Sequence, residues 1–209
     1  MNVTKTAEKY IESHPSIKDC VKKDLVNYSQ LSRAIIKDTL LKNRDFDAVL
    51  IACRRYFGKL AEYTPQEDKI ISLLKKSDVE VKNKISVVII DKTAFSEDLI
   101  DVERVAKKQK SVYYAVEGTE VITLVVSSKL MPEINKRFKR TIIQTNDNLA
   151  LVLIRSSEEI EETIGSFAYL TSLLSFNNIN IVETLGCWNE TIFVVKENDI
   201  AGVMKALSF

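Results

Sequence analysis

The side chains that most often carry catalysis are sparse in this 209-residue chain. Its one histidine, His14, stands before Pro15, where a solvated turn suits it better than general-base work. The three cysteines, Cys20, Cys53 and Cys187, are far apart and odd in number, with no CxxC pair. They read as reduced, structural thiols of a cytoplasmic protein. The nucleophile-elbow, zincin and P-loop patterns are absent. Five glycines, at 58, 118, 165, 186 and 202, are too scattered to build a phosphate-cradling loop. The acidic pairs Glu158-Glu159 and Glu161-Glu162 fall in an amphipathic stretch, whose solvated face accounts for them. The expectation is a non-enzymatic protein without cofactor or metal.

Charge points to a different chemistry. The formal net charge is +1, so no global field draws the chain to nucleic acid or membrane. Its distribution is uneven: residues 1–84 hold 17 Lys/Arg and 12 Asp/Glu, a net of +5, leaving −4 for the remainder. Two parts with different surfaces are implied. Within the basic part, Arg33, Lys37, Lys42, Arg44, Arg54 and Arg55 are candidates for neutralising DNA phosphates. Three helices over 17–26, 29–38 and 46–60 would form a helix-turn-helix around them. Against this, 46–60 is strongly apolar, Asp45 and Asp47 repel phosphate at its start, and 41–45 is long for a tight turn. A plain helical bundle or a dimer arm fits the same residues.

Positioning such groups requires elements that the periodicity outlines. Apolar spacing near 3.6 predicts helices over 3–13, 17–26, 29–41 and 46–60, with Asn27 and Asp45 as caps and Leu31, Ala34, Ile35 and Leu40 or Leu41 buried. Thr64-Pro65-Gln66-Glu67 is a helix start, with Thr at the cap and Glu three residues on, opening a helix to about Lys76. Near Val79 the period changes to two. Strands are predicted over 84–91, 111–117, 120–127, 141–144, 149–155, 180–185 and 191–196, with helices over 130–138, 159–176 and 199–207. Gly118-Thr119 and residues 186–189 supply the hairpin turns. The order reads β-α-β-β-α-β and then β-α-β-β-α, an internal duplication forming an open sheet with helices on one face. The second copy lacks a visible fourth strand. No apolar run approaches the roughly 18 residues of a membrane helix, and residues 1–12 are too polar for a signal peptide.

Residues 149–207 resemble an ACT domain, in particular the tandem ACT regulatory tail of aspartate kinases. An apolar strand over 149–155 is followed by Gly165 opening a helix. Asn178 ends that helix, and Ile179-Asn180-Ile181 and a hairpin follow. The likeness is fainter over 84–145, where no glycine opens the helix. This chain has Ile164-Gly165 where the family has Pro-Gly, and a longer acidic junction over 156–162. The resemblance implies an α+β protein: an N-terminal helical domain (1–78), then two ferredoxin-like ACT-type repeats (84–145 and 146–209).

The resemblance also implies amino-acid binding. In ACT relatives backbone amides at the helix start receive the carboxylate. The residues it nominates here are Ile164, Gly165, Ser166, Phe167, Asn180 and Ile181. Glu158, Glu159, Glu161 and Glu162 crowd the same helix start and compete with an incoming carboxylate. Two readings stand: an amino-acid sensor whose helical domain passes the state to DNA or a partner as a transcriptional regulator, or an ACT-like assembly module without a small ligand. Either is expected as a homodimer, because an incomplete second copy leaves a strand edge to cover.

Overall fold

The computed structural model describes residues 2–60, 67–94 and 96–208. It divides into two compact units, Met1–Pro65 and Gln66–Phe209.

The first unit is helical: α1 (Val3–Glu12), α2 (Pro15–Lys22), α3 (Tyr28–Asp38), a 3₁₀ turn (Asn43–Asp45) and α4 (Phe46–Leu60). Asn2 and Asn27 cap α1 and α3, their side-chain oxygens accepting from the amides of Lys5 (3.2 Å) and Gln30 (3.1 Å). Pro15 ends one helix and opens the next at its first position, where the missing amide costs nothing. α2 stops at Lys22, short of the expected Val26, because Asp24 turns left-handed (φ +53°) and the Leu25 amide closes back on the Cys20 carbonyl at 2.9 Å. α3 also ends early. Thr39 is extended and its hydroxyl donates to the Ile35 carbonyl at 2.6 Å. Leu40 is therefore 87% exposed while Leu41 is buried. Asp45 does not cap α4 as expected; its carboxylate reaches back to the Lys42 amide at 2.9 Å. Ala7, Ile11, Val21, Leu31, Ile35, Val49, Ala52 and Cys53 form the core.

The second unit is α+β. Helix α5 (Glu67–Leu74) leads into β1 (Asp78–Asp91), α6 (Ser96–Lys108), β2 (Tyr113–Glu117), β3 (Val121–Ser127) and α7 (Met131–Phe138). Then come β4 (Ile142–Arg155), α8 (Ser166–Phe176), β5 (Glu183–Cys187), β6 (Glu190–Lys196) and α9 (Ile200–Ala206). The start signal at Thr64–Gln66 lies outside the described residues. α5 packs Ile70, Leu73 and Leu74 into the α/β core, so these residues leave the helical region 1–78 to which the sequence assigned them.

One antiparallel sheet runs in the order β2-β3-β1-β4-β6-β5. Its axis is the pairing of β1 with β4, each 14 residues long. Asp78–Lys82 pair with Leu151–Arg155, and Ile85–Ile90 pair with Ile142–Leu149, across register shifts. Two expectations change here. The separate strands 141–144 and 149–155 are one strand, because bulges carry the ladder through the polar residues between them. The second copy does have a fourth strand: the first half of β1, which the sequence left as a domain boundary. The edge offered as a reason for dimerisation is therefore filled within the chain.

Side chains alternate across the sheet. Val152, Ile154, Phe193 and Val195 meet α5, α8 and α9, while Val88, Ile90, Leu124 and Val126 meet α6 and α7. Their strand neighbours Leu151, Leu153, Ile192 and Val194 point the other way and are buried too, with Val125, Ile85 and Val87. The helices of this unit thus share one face, as the sequence led us to expect, and the apolar strand residues of the opposite face are buried as well. The unbroken apolar run 149–154 is the sequence signature of this double burial. No described helix is long and apolar enough to cross a membrane.

Candidate functional site

A cleft of about 820 Å³ opens where β4 is bulged, within the range of small-molecule sites. Its first wall is residues 145–149 of β4, its second Asn180, Ile181 and Val182, and its third Lys196, Glu197 and Asn198. Three local devices shape it. Asn148 sits left-handed (φ +57°) in the middle of β4, which Asn tolerates better than most residues. α8 ends at Asn178, also left-handed (φ +57°), with the Ile179 amide on the Leu174 carbonyl at 3.0 Å. Ile179 is then buried and Asn180 is left outside. A 3₁₀ turn (Glu197–Asp199) follows β6 and presents Glu197 and Asn198.

Both acids are held by β1. The Asp147 carboxylate accepts from the Ser86 hydroxyl at 2.6 Å, and Ser86 also contacts the Ser128 hydroxyl at 2.9 Å. The Glu197 carboxylate accepts from the Lys84 amide at 2.7 Å. Asn146 is held too, its carbonyl accepting from the Gln144 side chain at 3.0 Å. The lining thus combines one exposed cation, Lys196, two carboxylates and the amides of Asn146, Asn148, Asn180 and Asn198. Each Asn can donate and accept, so the wall can meet an anionic and a cationic group on one small molecule. It holds no nucleophile beside a base. Among the described residues no group of three His, Cys, Asp or Glu is placed to hold a metal.

The six residues nominated for amino-acid binding fall in two places. Asn180 and Ile181 line the cleft. Ile164, Gly165, Ser166 and Phe167 stand at the other end of α8, an 11-residue helix about 16 Å long. Gly165 does break the chain there: it is the helix cap, left-handed at φ +88°. The predicted helix 159–176 is correspondingly shortened to Ser166–Phe176, with Glu158–Ile160 in a 3₁₀ turn. Glu158, Glu159, Glu161 and Glu162 are exposed, while Ile160 anchors the junction in the core. Ser166 is buried, its hydroxyl toward the Ile160 carbonyl at 3.5 Å. The sequence reading missed Thr145–Leu149 and Lys196–Asn198. The signal available was a polar run, Thr145-Asn146-Asp147-Asn148, between two apolar strand segments.

In the helical unit Arg33, Lys37, Lys42, Arg44, Arg54 and Arg55 are all exposed. They are divided among α3, the connection after it and α4, with Asp38, Asp45 and Asp47 between them. Arg33 lies over the Phe46 ring at 5.8 Å. His14 stacks on Tyr10 at 4.2 Å, and its Nδ1 is 2.7 Å from the Tyr10 carbonyl, a local structural role. Burial pushes the Cys53 thiol up to about 11, whereas Cys20 and Cys187 are exposed.

No protein-family model matches the chain, and no curated protein matches it in sequence. Solved structures do match its fold. The aspartate kinase of Clostridium acetobutylicum, described as an allosteric enzyme, superposes with a TM-score of 0.50 at 19% identity, over 62% of this chain and 33% of that one. This chain thus spans about a third of that kinase's length. A C-terminal regulatory domain of aspartate kinase from Porphyromonas gingivalis gives 0.47 at 14% identity, over 63% and 94% of the two chains. The ligand-free regulatory subunit of aspartate kinase from Thermus thermophilus gives 0.48 at 9%, over 62% and 92%. At these identities the likeness is one of fold alone, an α+β arrangement shared with part of the Clostridium acetobutylicum aspartate kinase.

Proposed function

We propose that the α+β unit is a non-catalytic regulatory module that takes a free amino acid into the cleft between β4, the segment 180–182 and the turn after β6. The observation that carries this is the pairing of charges in one cavity. Lys196 offers a cation to a carboxylate, while Asp147 and Glu197 offer acceptors to an ammonium group, with four asparagine amides between them. A zwitterion needs both. The shared fold with an allosteric kinase supports the same reading. In this proposal Asn180 and Ile181 contact the amino acid, and the helix start at Ile164–Phe167 does not. The two repeats, 84–145 and 146–209, then act as one body through the β1–β4 axis. Isothermal titration against the twenty common amino acids tests it. At least one should bind, and a native-state binder at a hundredfold excess over its Kd should stabilise the fold by about 2.7 kcal/mol. Flat titrations with all twenty would overturn it.

A second reading, assembly as a homodimer, is favoured by α8. Ile164, Phe167 and Phe176 are 67%, 49% and 84% exposed on or beside this one helix. Sedimentation at micromolar concentration checks it, and a monomer there would remove it. The helical unit is given no DNA-binding role, since its six cations share no single helix and three aspartates lie among them.

A further inference from the structure

The two halves of the α+β unit repeat each other, yet the walls of the cleft at 145–149, 180–182 and 196–198 are arranged differently from their counterparts in the first half. The correspondence is close. β1 and β4 are both 14 residues long, and the seventh residue of each is left-handed: Lys84 at φ +58° and Asn148 at φ +57°. α6 and α8 end in the same way, at Lys110 (φ +49°) and Asn178 (φ +57°). The next amide closes back in each, Ser111 on Ala106 at 2.9 Å and Ile179 on Leu174 at 3.0 Å. A hairpin, a 3₁₀ turn (Ser128–Leu130 or Glu197–Asp199) and a short helix complete each copy. The cleft walls at 145–149, 179–182 and 196–198 therefore have counterparts at 81–85, 111–112 and 127–129.

In the first copy the turn after β3 bonds to the segment between α6 and β2. Lys129 Nζ donates to the Gln109 carbonyl at 3.0 Å. The Ser127 hydroxyl accepts from the Val112 amide at 3.0 Å, and the Ser127 amide donates to the Val112 carbonyl at 3.1 Å. The turn after β3 is thus drawn onto the connection before β2. In the second copy Asn198 stands where the first has Lys129, and Glu197 turns away toward the Lys84 amide. The connection is also longer: residues 179–182 separate Asn178 from β5, against 111–112 between Lys110 and β2. Asn180, one of the added residues, lines the open cleft.

We propose that the chain binds one amino acid, not two, because the first copy closes its own site with Ser127 and Lys129 while the second leaves the equivalent space open. This rests on the cleft reading above. The test is equilibrium dialysis of the full chain against an equimolar mixture of the twenty common L-amino acids, with retained amino acid counted per chain by quantitative analysis. One equivalent of a single amino acid is expected for the wild type. It should fall at least tenfold in Lys196→Ala and stay at one in Lys129→Ala, with circular dichroism showing both variants folded. Two equivalents would overturn the asymmetry and leave the cleft reading standing. None would overturn both. One equivalent that survives Lys196→Ala but is lost in Lys129→Ala would place the ligand in the first copy and sink the proposal.

Discussion

Glu197 in the wall of the cleft accepts a hydrogen bond from the backbone amide of Lys84, 113 residues earlier, at 2.7 Å. Lys84 is the left-handed residue at which β1 passes from pairing with the second half of β4 to pairing with the first. A group that binds in the cleft and competes for Glu197 thus acts on the strand shared by both repeats. Together with Asp147 on Ser86, this tethers both acids of the cleft to two positions of β1 that are two residues apart.

That tether is measurable without any ligand. In Glu197→Ala the Lys84 amide loses its acceptor, and a hydrogen bond to a charged, part-exposed group contributes about 1 kcal/mol net. Amide exchange at Lys84 should speed up about fivefold, while amides in mid-strand β3 keep their rates. Glu197→Gln retains an acceptor and should restore most of the protection. Unchanged exchange in the alanine variant would show that the bond does not hold the bulge.

Gly165 separates the junction after β4 from α8, and its backbone makes a second prediction. At φ +88° an L side chain is strained, although a Cβ would meet nothing closer than Ile70 Cδ1 at 3.8 Å, an ordinary contact. Gly165→Ala should therefore destabilise the α+β unit by about 1–2 kcal/mol through conformation alone. Urea denaturation with an unchanged slope is the check. Since Gly165 stands at the far end of α8 from the cleft, amino-acid affinity should stay within about twofold. A large loss of binding with little loss of stability would return the site to the helix start.

Cys53 gives the helical unit a pH dependence. Burial pushes its thiol up to about 11 in the folded chain, against about 8.5 when unfolded. The folded state therefore prefers the neutral thiol. This stabilisation is complete below about pH 8.5 and is lost as pH rises toward 11. Tyr56, pushed up to about 12 mainly by burial and by its bond to Glu12, adds a loss of the same sign at higher pH. The helical transition should melt lower at pH 10.5 than at pH 8, and less steeply so in Cys53→Ala. Iodoacetamide at pH 8 should label Cys20 and Cys187 promptly and Cys53 only on unfolding. Prompt labelling of all three would contradict the burial.

The local elements were legible because their causes are local. Asn27 capping α3, the Gly165 break and the 46–60 helix each depend on backbone propensities and bonds within a few residues. The duplication was legible for the same reason, as a repeated order of strand and helix periods. What the sequence alone determined about this protein is therefore its α+β class, its repeat and its helical N-terminal part. Tertiary structure alone decided the rest. That Asp78–Lys82 complete the second repeat and that 142–155 is one bulged strand both follow from pairings between residues more than 50 positions apart. Such contacts carry no periodic signature along the chain. The cleft is the clearest case: Asp147, Asn180, Lys196 and Glu197 meet only because β4 and β6 pair and α8 stops at Asn178.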